Sequence, residues 1–149
     1  MSGPDAGAYW PRPWTCEDGG PRRWGSAAGL PGLGIAAGET LRVAAARDAF
    51  ATDALVRREP GELYALRHGI PLGGPQSTPV EGWVERLDPA TLETTASSPR
   101  LPAGAWWPGG IAAHACGDIH MVLGRWAHRL DPGLGVLASH RLPVPRPHN

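Results

Sequence analysis

The sequence contains no lysine, only one phenylalanine and only two cysteines among its 149 residues. Its 14 basic residues, all of them arginine, are balanced by 14 acidic residues, so neither sign of charge is in excess. A protein that binds nucleic acid or an anionic membrane surface through its electrostatic field usually has such an excess. We therefore expect neither nucleic acid nor a membrane as a partner.

Long apolar runs are also missing. No stretch reaches the ~18 consecutive apolar residues of a membrane-spanning helix, and residues 1–13 lack the apolar centre of a secretory signal peptide. Cys16 and Cys116 lie far apart and form no CxxC pair, which favours free thiols and a cytoplasmic location. No serine lies in a G-x-S-x-G segment, so the sequence gives no support to serine-hydrolase chemistry.

Glycine and proline, by contrast, are abundant, with 21 and 17 copies. Residues 1–38 are rich in both and show no hydrophobic periodicity, which predicts an irregular leader segment. Residues 39–58 are ambiguous: a strand around residues 41–45 competes with an amphipathic helix that continues to residue 58, because three consecutive alanines favour a helix.

One heptapeptide occurs twice in the chain. Trp-Val-Glu-Arg-Leu-Asp-Pro begins at Trp83, and Trp-Ala-His-Arg-Leu-Asp-Pro begins at Trp126. The Leu-Pro pair that follows the first copy at Leu101 also returns, at Leu142. A period of about 43 residues built from short strands is typical of a β-propeller blade.

The apolar runs and the turn residues between them predict two groups of four strands. We place these strands at residues 54–58, 63–67, 83–87, 92–96, 110–114, 119–123, 126–130 and 134–139. Pro60-Gly61 predicts a type II turn, Asp88 and Asp131 each begin an Asp-Pro turn, and Gly117 supplies a positive φ between two strands.

The expected fold is therefore all-β, with about two four-stranded antiparallel propeller blades. We assign residues 53–96 and 110–139 to the blades, residues 146–149 to the start of a next blade, and residues 39–149 to the partial propeller as a whole. Because a closed propeller needs at least four blades, we expect either an N-terminal fragment of a longer protein or a chain that closes by oligomerising. Exposed strand edges would then favour self-association.

The Arg-Leu-Asp-Pro-x-x-Leu hairpins and the Gly-Gly-Ile-Ala-Ala-His-x-x-Gly-Asp-Ile strand pair that begins at Gly109 resemble blades of bacterial propeller proteins. They are most similar to the SMP-30/gluconolactonase/lactonase-like group, within a wider set of NHL-type and PQQ-like propellers. That resemblance implies one divalent cation, such as Ca²⁺, at the mouth of the central channel. The positions that correspond to its ligands lie near Asp53, Gly110 and Asn149; the preceding His148 departs from the family pattern, and Gly110 has no side chain to offer.

Three histidines, His114, His120 and His128, lie close together in the sequence and suggest a metal site. If residues 116 and 117 form a two-residue hairpin loop, His114 lies opposite Ile119, and His114 and His120 then lie on opposite faces of the sheet. We therefore expect structural or surface histidines. We likewise expect the repeated tryptophans, and the Trp-Trp pair at 106–107, to pack between blades.

Two functions follow as expectations. The first is non-catalytic binding of an unknown small molecule or protein by a propeller segment without a cofactor of its own, with Asp53, His148 and Asn149 as candidate residues at the channel mouth. The alternative is part of a divalent-metal-dependent lactonase-like hydrolase, active only in a complete propeller, with Asn149 and Asp53 as metal ligands.

Overall fold

The structure, a computed structural model, describes residues 36–40, 42–46, 52–69, 80–104 and 109–143. All regular structure in these ranges is β, arranged as two antiparallel sheets, which confirms the all-β class. The described ranges contain no helix long and apolar enough to cross a membrane.

The first sheet has the order β1-β2-β3-β4, and a short fifth strand pairs with the beginning of β3. Its strands are β1 (Thr52–Arg57), β2 (Leu63–His68), β3 (Glu81–Leu87), β4 (Thr94–Ser97) and β5 (Leu101–Pro102). Gly61 joins β1 to β2 with a φ of 83°, and the backbone N–H of Glu62 donates to the carbonyl of Glu59 over 2.9 Å. The predicted type II turn is thereby confirmed.

The second sheet has the order β6-β7-β8-β9, so every strand pairs with its neighbour in the sequence. Its strands are β6 (Gly109–Ala113), β7 (Ile119–Leu123), β8 (Trp126–Leu130) and β9 (Val136–Arg141). All eight predicted strands are present, each within two residues of its expected ends. Nothing in the sequence indicated the two-residue strand β5.

The two copies of the heptapeptide form the third strand of each sheet, β3 and β8, and pair in the same way with the strand that follows. Arg86 lies opposite Ala96 and Arg129 opposite Ala138, and in each sheet the register then shifts by one residue. Such a shift is a β-bulge, which bends and twists a strand pair locally. The sequence repeat is therefore also a repeat of strand position and of bulge.

Each copy ends in a loop that the aspartate organises. The carboxylate of Asp88 accepts the backbone N–H groups of Ala90 and Thr91 at 2.7 and 3.0 Å, and that of Asp131 accepts the N–H of Gly135 at 2.9 Å. The bond from Ala90, two residues on, is the one predicted for an Asp-Pro turn, whereas Asp131 binds the backbone four residues on. The next leucine in each loop, Leu92 or Leu134, has a positive φ, 60° or 71°, which is uncommon for a residue with a side chain.

Those two leucines also correct the strand boundaries. Residues 92–93 and 134–135 were expected in strands, but they belong to the loops, because a left-handed residue cannot continue a strand. The expectations for residues 39–58 also need correction. The described residues 42–46 have neither helix nor strand, and Thr52–Arg57 form β1, so neither the strand around 41–45 nor the helix to 58 is present.

One hydrophobic core joins the two sheets. Its members come from both sheets and are almost completely buried, with Val56, Tyr64, Leu66 and Val84 on one side and Ile111, Ile119, Met121, Leu123 and Leu130 on the other. Gly82 shows how closely the sheets approach. A Cβ atom on Gly82 would lie 2.7 Å from the Cδ2 atom of Leu123, so only glycine fits there without a shift.

Two contacts fix how the sheets lie against each other. The hydroxyl of Tyr64 donates to the carbonyl of Pro132 over 3.0 Å, which links β2 to the β8–β9 loop. Gly104, after β5, touches Gly124, between β7 and β8: a Cβ atom on Gly124 would overlap the Cα atom of Gly104. The connection between the sheets therefore passes directly against the second sheet.

Candidate functional site

The described residues form one candidate binding site, an open groove of about 570 Å³ between the two sheets. It lies where β3 begins, where β5 ends and where β8 begins. Its lining residues are Gly69, Val80, Glu81, Arg100, Pro102, Ala103 and Trp126. This volume is in the range that small-molecule sites occupy.

One wall of the groove carries a guanidinium group supported by an indole. The Arg100 guanidinium carbon lies 3.1 Å from the centre of the Trp83 ring, a cation–π contact. Trp83 is buried, and its ring N–H donates to the Glu85 carboxylate over 2.9 Å, which fixes the orientation of the indole. Strand β3 therefore positions Arg100 through the side chain of Trp83.

Trp126, which is only partly buried, also lines the groove. Its ring lies parallel to that of His128, with centroids 6.0 Å apart. His128 is buried, and its two ring nitrogens contact the Pro102 carbonyl and the Ser139 hydroxyl, both at 2.8 Å. A carbonyl can only accept, so Nε2 carries the hydrogen and donates to Pro102.

His128, in the second sheet, is joined to the first sheet by its hydrogen bond to the Pro102 carbonyl. Burial lowers its pKa, and its hydrogen bond to Pro102 opposes that change. The equivalent residue in the first copy of the heptapeptide is Glu85, so the repeat is broken at a position that contacts the groove wall in each sheet. Both repeated tryptophans were expected to pack between blades; Trp83 is buried, and Trp126 is partly buried and lines the groove between the two sheets.

Two charged groups in the groove have no ion-pair partner among the described residues, the Arg100 guanidinium and the Glu81 carboxylate. Both side chains are exposed. A guanidinium held in place next to an aromatic face binds a carboxylate or another planar anion well. Sequence reasoning missed both residues: Arg100 precedes the first Leu-Pro pair as Arg141 precedes the second, which indicates only a repeated connecting segment, and Glu81 lies before the repeated heptapeptide.

Most of the residues chosen from the family resemblance fall outside the described part of the structure. Asp53 is part of β1, but its side chain lies outside the described part of the structure, as do His148 and Asn149 entirely. The Trp-Trp pair at 106–107 also lies outside the described residues. The binding and metal roles of these residues stay predictions.

The structure does not bring a cation site together from the residues that it describes. Within the described ranges, no three His, Cys, Asp or Glu side chains converge as ligands of one metal ion would. Gly110, the third position implied by the resemblance, lies in β6, and a Cβ atom added to it would meet nothing within 4 Å. The backbone around Gly110 is therefore open rather than enclosed by other ligands.

The expected placement of His114 is wrong. The loop after β6 has three residues, since the N–H of His114 donates to the carbonyl of Asp118 over 2.8 Å, and Ala113 rather than His114 lies opposite Ile119. A shift of one residue moves a side chain to the other face of a sheet. His114 and His120 consequently lie on the same face, with their rings stacked 5.2 Å apart.

No protein-family model, no curated protein and no solved structure matches the chain.

Proposed function

We propose that the two sheets are blades of a β-propeller-type module whose function is non-catalytic binding of a small ligand in the groove between them. Four-stranded antiparallel sheets of consecutive strands, packed face to face, are what such blades consist of. The repeated heptapeptide in the third strand of each sheet supports this interpretation.

The groove is the observation on which the proposal rests. Its Trp126 face suits a planar apolar group, and Arg100 suits an anionic one. Glu81 can accept a hydrogen bond from a hydroxyl or amino group on the same ligand. The preferred ligand is accordingly a small aromatic or otherwise planar acid that also carries a hydrogen-bond donor.

Saturation-transfer NMR with para-hydroxybenzoate as the probe tests this function. We expect saturation transfer to its ring protons, and a weaker effect for para-hydroxybenzyl alcohol, which has the same ring and no carboxylate. Arg100→Gln should weaken binding of the acid roughly ten-fold, the worth of one hydrogen bond to a charged group. Trp126→Leu should weaken binding of both probes.

Arg57→Gln is the matched control, because Arg57 is an exposed arginine of β1 that does not line the groove. It should leave both affinities unchanged. Equal binding to the Arg100→Gln and Arg57→Gln variants, or no transfer to either probe in the unmodified protein, would show that the groove does not bind ligands of this class.

A further inference from the structure

The turn between β6 and β7 places a thiol against a base. The Cys116 side chain is exposed, and its sulfur lies 2.9 Å from Nδ1 of His114. The backbone N–H of Cys116 donates to the same nitrogen over 3.2 Å. An amide N–H can only donate, so Nδ1 is an acceptor and the ring hydrogen of the neutral imidazole lies on Nε2.

Charged groups from two neighbouring strands complete this cluster. The guanidinium of Arg129, in β8, binds the Asp118 carboxylate through both Nε and a terminal nitrogen, each at 2.5 Å. Both Arg129 and Asp118 also interact with the Cys116 side chain. His120, in β7, stacks on the His114 ring with the centroids 5.2 Å apart. The exposed thiol thus has a base, a cation and a carboxylate nearby, and a second imidazole stacks on the base.

We propose that Cys116 is a site of thiol–disulfide exchange with a low-molecular-weight disulfide, for which His114 accepts the thiol proton. The proton moves from the sulfur to Nδ1, and the thiolate attacks one sulfur of the disulfide. A new S–S bond forms at Cys116 as the S–S bond of the reagent breaks. The released thiolate takes the proton from the imidazolium, so no further oxidant or reductant is needed.

The geometry supports this reaction in two ways. Thiolate, not thiol, is the nucleophile, and an adjacent imidazolium or guanidinium favours the thiolate. His114 becomes such an imidazolium in the step that creates the thiolate, and Arg129 already carries its charge beside the sulfur. Asp118 opposes this effect, but its carboxylate is shared with Arg129. The site does not depend on ligand binding in the groove.

The experiment uses a Cys16→Ser chain, in which Cys116 is the single cysteine. Exchange with glutathione disulfide is followed by intact mass, and exchange with the chromogenic disulfide dithiobis(nitrobenzoate) is followed by absorbance. At about pH 6.5, where an ordinary thiol with a pKa of about 8.5 is almost fully protonated, we expect the folded chain to react roughly ten-fold faster than its His114→Gln variant. At about pH 9.5, above that ordinary pKa, the two rates should converge.

Convergence of the two rates at high pH would show that His114 acts by accepting the thiol proton. If the substitution merely rearranged the turn, the variant would react at a different rate from the parent at both pH values. His140→Gln, at an exposed position of β9, is the matched control and should react like the parent. Should His114→Gln not fold, the folded parent is compared with the same chain unfolded in urea at the lower pH. Equal rates in either comparison at that pH would overturn the proposal.

Discussion

The imidazole rings of His114 and His120 stack with their centroids 5.2 Å apart and their planes inclined by 20°. Burial lowers the pKa of His120, and the neighbouring His114 and Arg129 lower it further, against the opposite effect of Asp118. Two imidazoles in this arrangement cannot both be protonated without repulsion.

This stacking predicts that the pKa of His120 depends on the charge of His114. His114→Phe keeps an aromatic ring at the position but removes its charge, so the pKa of His120 should rise toward the ordinary histidine value of about 6.5 while staying below it because of burial. Histidine ring resonances followed by NMR against pH measure the change. An unchanged pKa of His120 in this variant would show that the two rings do not interact electrostatically.

Buried His128 predicts that acid destabilises the fold. Its folded-state pKa is lowered, so below the ordinary value of about 6.5 the unfolded chain binds the proton more readily. The free energy of unfolding should be highest above that value and fall as the pH decreases through the lower folded pKa. A difference of one pH unit between the two pKa values corresponds to about 1.4 kcal/mol.

Urea unfolding at a series of pH values checks this prediction. His128→Gln retains a donor for Pro102 but does not titrate, so the unfolding free energy of this variant should depend less steeply on pH. The exposed His140→Gln provides the comparison. If the His128→Gln and His140→Gln variants lose stability in acid to the same extent, protonation of His128 does not contribute.

The contact between Gly104 and Gly124 predicts that a side chain at position 124 destabilises the fold. Gly124 has a φ of 60°, and a Cβ atom there would overlap the backbone of Gly104. Strain and displacement should together make Gly124→Ala less stable by about 2 kcal/mol or more. Gly110→Ala, with open space around the added methyl group, should leave stability unchanged or raise it by up to about 1 kcal/mol. Thermal unfolding of both variants decides whether the close approach matters.

The two leucines with positive φ differ in burial, so replacement by glycine should destabilise the fold at Leu134 and have little effect at Leu92. Leu134 is 2% exposed, so Leu134→Gly should lose about 2 kcal/mol even after about 1 kcal/mol of strain is relieved. Leu92 is only partly buried, and relief of its strain should leave Leu92→Gly within about 1 kcal/mol of the parent. Chemical denaturation compares the pair, and similar losses at both positions would mean that burial of Leu134 contributes little.

Strand β9 predicts self-association. It ends its sheet among the described residues, all six of its residues are exposed, and Leu137 is 53% exposed. Unpaired edges with apolar side chains can pair with another chain, and a lysine on the edge discourages such pairing. Leu137→Lys should therefore reduce the average mass in sedimentation experiments. Val122→Lys, at a similarly exposed position in the central strand β7, should do so less; equal effects would exclude the edge as the contact.

Much of the local structure could be predicted because short-range chemistry decides it. The Asp-Pro turns form because Asp88 and Asp131 bind their own backbone, and Gly61 adopts the φ that its turn requires. Alternating apolar residues located the strands to within two residues. The repeated heptapeptide predicted equivalent strands, and the structure gives both copies the same place and the same bulge.

The arrangement of candidate sites depended on register and packing. Whether the β6–β7 loop contains two residues or three cannot be inferred from Gly117 alone, since both loops accept its φ of 96°. This difference of one residue in loop length decides whether the His114 side chain lies on the same face of the sheet as His120 or on the opposite face. The groove, likewise, requires Arg100 to lie over Trp83 and Trp126 to stack on His128. The first contact lies within the first sheet and the second within β8, but only the packing of one sheet against the other, which includes the hydrogen bond from His128 to Pro102, brings Arg100 and Trp126 to one groove.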